Sequence, residues 1–147
     1  MMTYWIHLGC GFFMALYALL ALLWNSQMKK LSREEENYRK KNQVFFYFNR
    51  MAMYVAVIAF LVGGKLGTPY FKTGSGWIYT KLVLWALLLA LLGFLGARPL
   101  KSRKKALEAE DKKEEPFQKA QRDLNLFVWA NLFLVASMMA LGHWKPF

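Results

Sequence analysis

Carboxylates are missing from most of this chain. Nine of its 147 residues are Asp or Glu, and all nine lie in two short stretches, Glu34–Glu36 and Glu108–Asp123. The long apolar segments contain none, which excludes a carboxylate proton relay or a hard-metal site within them. The single cysteine, Cys10, excludes an intramolecular disulfide, and no Cys/His spacing fits structural zinc. Phosphate-binding glycine loops, Ser/His/Asp sets and zinc motifs are also absent, as is any solenoid-type repeat. No basic segment precedes the first apolar stretch and no small-x-small site follows it, so a removable signal peptide is not expected.

What the chain has instead is uncharged length. Leu82–Ala97, LVLWALLLALLGFLGA, is sixteen residues whose one hydrogen-bonding side chain is the Trp85 indole. Lys81 and Arg98 bracket it, and with Trp77–Tyr79 the run reaches about 22 residues. That is a helix of roughly 33 Å, set against a hydrocarbon core of about 30 Å. It shows no polar face at helical spacing, as a water-facing helix would. Three more segments of this kind follow the same logic. The expectation is one all-α domain, an integral membrane four-helix bundle with spans at about 3–24, 44–63, 77–97 and 124–141. Charged loops at 25–43 and 98–123 would join them.

Hydrophobic residues make up 56% of the chain, yet its formal net charge is +11. The two facts coexist because charge is segregated. The stretches Lys29–Lys41 and Arg98–Arg122 hold 15 of the 20 Lys and Arg. The opposite side holds Lys65, Lys72, Lys81 and Lys145. This imbalance is the positive-inside signal, and it points to two cytoplasmic loops and both termini outside; a bacterial inner membrane is the expected setting. Its partners are then the lipid bilayer and other membrane subunits or copies of itself, not nucleic acid.

Local signals refine the picture. Ser32 and Glu35 have capping-box spacing, and Glu35–Arg39 and Glu36–Lys40 are i,i+4 pairs in the favourable order. Gly63, Gly64 and Gly67 are expected to end the second span, and Arg98–Pro99 to end or kink the third. Gly11, Ala15 and Ala18, and likewise Ala86, Ala90, Gly93 and Ala97, form small-residue ridges suited to close helix packing.

Depth along the spans sorts the polar residues into two sets. His7, Cys10, Met14, Lys81 and His143 belong to the outer leaflet. They have three readings: interfacial positions with Lys81 snorkelling, haem or porphyrin ligation by His7 with His143, or a copper(I) site from His7, Cys10 and Met14. Asn49, Arg50 and Asn131 belong to the inner leaflet, where Arg50 is expected to reach either a lipid phosphate or Asn131.

Gly74-Ser75-Gly76-Trp77-Ile78, followed by Lys81-Leu82 and an Ala/Leu-rich span, resembles the third-span entry of the haem-containing membrane protoporphyrinogen oxidases. Those proteins are related in architecture to the copper-resistance-D membrane family. Tyr4-Trp5-Ile6-His7-Leu8 is similar to the same family's first-span entry. The resemblance implies a haem ligand at His7 and a functional lysine at Lys81; Trp24 and Asn25 stand where the family has a further histidine. Two classes of function follow. The leading one is an accessory or scaffolding membrane subunit. The alternatives are a haem- or porphyrin-dependent oxidoreductase and a copper-handling protein.

The charge segregation predicts that a membrane-impermeant thiol reagent labels a cysteine placed at Thr73 in intact spheroplasts, but not one at Ser102. The reverse pattern would overturn the orientation.

Overall fold

The computed structural model describes residues 1–32, 36–110 and 114–144. Five α-helices account for nearly all of them: α1 (Met2–Lys29), α2 (Glu36–Lys72), α3 (Gly76–Leu91), α4 (Arg98–Glu108) and α5 (Glu114–Trp144). A π-helical turn, Leu92–Ala97, joins α3 to α4, so that Gly76–Glu108 is one continuous rod. The result is four long helices, each long and apolar enough to cross a membrane. The start of α1, the end of α5 and the α2–α3 turn lie at one end of the bundle, the terminal end. The end of α1, the start of α2, α4 and the start of α5 make up the other, charged end.

Side-chain periodicity determines which faces pack. The buried stripe of α2 is Tyr38, Asn42, Phe45, Asn49, Ala52, Ala56 and Ala59. Its steps alternate four and three, the heptad spacing that keeps one seam against neighbouring helices. α1 answers with Met14, Tyr17, Ala18, Ala21, Asn25 and Met28. Fully buried alanines on both helices allow close approach of their backbones. In the third rod the buried positions Leu88, Leu92, Gly96 and Leu100 step by four each time. An ordinary helix would rotate such a stripe off the seam. The wider π turn absorbs the extra residue and keeps it inward.

Three local expectations change. Gly63, Gly64 and Gly67 do not end the second span, because α2 runs on to Lys72 with Pro69 inside it. Glycine lowers helix propensity by about 1 kcal/mol, but a broken backbone in an apolar setting leaves polar groups unsatisfied at greater cost. Gly67 acts as a packing site, since a Cβ there would lie 3.0 Å from Ile78 Cδ1. The stop comes at Gly74, whose φ of 70° only glycine adopts easily. There Ser75 N–H donates to Tyr70 O and Gly74 N–H to Phe71 O, the paired bonds of a Schellman ending. Arg98–Pro99 likewise fails to end the third span, because the π register beginning at Leu92 carries the chain through. Of the expected close-packing ridge, Ala86 and Ala90 are exposed, while Gly93 and Ala97 are half-buried and Gly93 lies beside Met53 of α2.

The charged joining stretches, 25–43 and 98–123, are mostly helix within the described residues, so that α2 and α5 begin before the apolar spans they carry. Of the local pairs, Glu36–Lys40 forms at 2.9 Å, while Glu35 lies outside the described residues.

These helical extensions close around Arg103, a side chain with no exposed surface. Its Nε donates to Asn42 Oδ1 at 2.6 Å, one terminal nitrogen to Gln121 Oε1 at 2.9 Å, and the other reaches Met28 Sδ at 3.5 Å. The Tyr38 ring lies 5.5 Å from the guanidinium carbon. Asn42 also donates to Leu100 O, and Gln121 and Asn125 join Asn25 in a chain of amides. Every acceptor named is neutral. Asn42→Leu removes a partner from a buried cation and should cost about 1–3 kcal/mol. Thermal unfolding in detergent should show a midpoint lower by several degrees; an unchanged midpoint would mean the network carries no stability.

Candidate functional site

His7, two turns into α1, packs against α2 where α2 has no side chain. A Cβ on Gly63 would lie 2.8 Å from His7 Cε1 and 3.2 Å from Nδ1. The glycine therefore makes room for the imidazole inside the bundle. Nδ1 is buried and has no hydrogen-bond partner among the described residues. On the facing rod, Lys81 is half-buried and points to α5, its Nζ 3.0 Å from where a Cβ of Gly142 would be.

These side chains border a cavity of about 280 Å³ whose walls include Tyr4, Gly67 and Trp77. An adjoining space of about 780 Å³ shares Tyr4, His7, Lys81, Trp85 and Gly142 with it and extends to Met14 and His143. Thus His7, Lys81 and His143, chosen from sequence on three different spans, meet around one space. Aromatic side chains form much of its wall, and no described carboxylate or hydroxyl of Ser or Thr borders it.

Of the three residues of the copper(I) reading, His7 and Met14 border the larger space. Met14 is 2% exposed and packs in the core, and Cys10 borders neither space. Among the described residues no three of His, Cys, Asp and Glu gather as metal ligands.

The inner set separates into three environments. Asn49 is buried and bonded at both ends of its amide: its Oδ1 accepts from the Tyr17 hydroxyl at 2.7 Å and its Nδ2 donates to Leu92 O at 3.1 Å. Gly96 leaves space for that amide, since a Cβ there would lie 2.7 Å from Asn49 Oδ1. Asn49 thereby ties α1 and α2 to the π turn. Asn131 is buried with neither side-chain polar atom partnered. Arg50 is exposed on the outside of α2 and makes no bond to Asn131.

Sequence reasoning passed over Tyr17, Asn42, Arg103 and Gln121. One signal was available: Asn42 and Asn49 are seven residues apart, on the same heptad face as Ala56. Arg103 gave none, because it sits among Lys101, Lys104 and Lys105, all exposed.

Because its amide is buried unpartnered, replacing Asn131 with Leu should hold or raise the unfolding midpoint in detergent. With Arg50→Leu the effects should add to within about 0.5 kcal/mol. A marked loss for Asn131→Leu, or strong coupling between the two, would contradict this placement.

No protein-family model, curated protein or solved structure matches the chain.

Proposed function

We propose that the terminal-end cavity binds a flat, carboxylate-bearing ligand, and that haem or a porphyrin is the member of that class the sequence resemblance favours. The observation that carries this reading is the buried, unpartnered Nδ1 of His7 at a space also bordered by Lys81. The residues suit such a group. An imidazole nitrogen is an iron ligand, an ammonium attracts a propionate, and Tyr4, Trp77 and Trp85 offer aromatic walls. Cofactor sites commonly occupy roughly 300–1,000 Å³. A porphyrin would therefore extend from the 280 Å³ cavity into the adjoining 780 Å³ space. Bound iron would supply one-electron chemistry, while the chain's residues would bind, orient and keep water away. With both termini outside, the site opens toward the outer face of a bacterial inner membrane.

A second reading, an accessory or scaffolding subunit, is favoured by the charged end. Its helices are locked by Arg103 into a rigid platform, on which Lys101, Lys104, Lys105 and Lys119 are exposed. A fixed array of charge suits a docking partner.

An absorption spectrum of the purified protein after haem reconstitution tests the first reading. A Soret band is expected, lost in His7→Ala and weakened in Lys81→Met. Identical spectra for wild type and His7→Ala, or no band in either, would leave the subunit reading alone.

A further inference from the structure

Tyr47, Arg50 and Tyr54 form a polar stripe on the outward face of α2. Their spacing of three and four residues places them on one side of the helix. All three are exposed, the tyrosines 53% and 59% so. None of the three makes a hydrogen bond or ion pair among the described residues.

Two cross-helix bonds fix how deep this stripe lies. Asn49 is level with Leu92, to whose carbonyl it donates, and Asn42 is level with Leu100 in the same way. Arg98, which closes the apolar run Leu82–Ala97, is therefore level with about residue 44 of α2. Arg50 lies six residues further in, about 9 Å, and Tyr54 about 6 Å beyond it. Arg98 shows what an ordinary boundary arginine does here: it folds over the exposed ring of Phe94, 4.3 Å from its centre. Arg50 can send its long side chain back toward the boundary. Tyr54 cannot, because its hydroxyl stays well within the apolar run. A guanidinium and a phenol turned outward at this depth are poorly served by lipid tails.

We infer that this stripe is a docking face for a transmembrane helix of a different protein, one that carries an Asp or Glu at the depth of Arg50. Charge complementarity selects the occupant. The planar guanidinium matches a carboxylate, and the two phenols can donate to its remaining lone pairs. A second copy cannot supply the anion, since no apolar span of this chain contains Asp or Glu. The inference names a partner class within the subunit reading and is independent of any ligand at His7.

The test uses the full-length protein in liposomes with synthetic leucine-rich transmembrane peptides, read by energy transfer. One peptide carries Glu at the depth of Arg50, one carries Glu the same distance from the opposite face, and two carry Leu or Lys at the first position. The first should associate at least about tenfold more tightly than the others, and Arg50→Leu should erase the difference. Tyr47→Phe with Tyr54→Phe should reduce it. Equal binding of all four peptides overturns the proposal. So does Arg50-dependent retention of anionic phospholipid without peptide discrimination, which would make the stripe a lipid site. Arg50-dependent energy transfer between copies of the chain would equally replace it with self-association. A native-membrane complex with other proteins that survives Arg50→Leu defeats this face while leaving the subunit reading intact. A protein that runs alone in mild detergent defeats both.

Discussion

A fully buried guanidinium must be given acceptors, and in this protein that requirement organises the charged end. Arg103 is surrounded by Asn42, Gln121 and Met28, one from each of the other three long helices. Its five N–H groups point in fixed directions, so each helix must present its acceptor at one height and one rotation. Apolar packing tolerates small slips between helices, whereas a buried cation that loses an acceptor does not. Arg103 therefore acts on register as well as on stability. Asn49 plays the neutral counterpart deeper in the bundle, binding the π-turn carbonyl of Leu92 and the hydroxyl of Tyr17.

Much of the architecture was legible in the residues. An uncharged run such as Leu82–Ala97 has few alternatives to a spanning helix, and four helices long and apolar enough to span are present. Their ends were less legible. Gly63 and Gly67 read as breakers because propensity scales describe water-exposed backbone, yet here they are the places where His7 and Ile78 fit. Arg98–Pro99 read as a stop or a kink because proline removes one hydrogen bond, and the π turn just before it supplies a different bonding register.

Of the site, depth along the spans grouped His7, Lys81 and His143, and all three border the 780 Å³ space. Direction around the helix was harder. Asn49 and Arg50 are adjacent in sequence, yet one faces the core and the other faces out, because neighbours on a helix point about 100° apart. Depth grouped them and rotation separated them. Arg103 escaped notice for a related reason: among several basic residues, charge says nothing about which one turns inward.

The rod from Gly76 to Glu108 has one further consequence. It is 33 residues long, about 50 Å, and has no loop along its length. Lys81 stands near one tip and Arg103 near the other. Rotation of one tip about the rod's axis therefore turns the other as well, except where the π turn yields. The space beside Lys81 and the platform around Arg103 are thus built on opposite tips of one helix, with the wide turn between them.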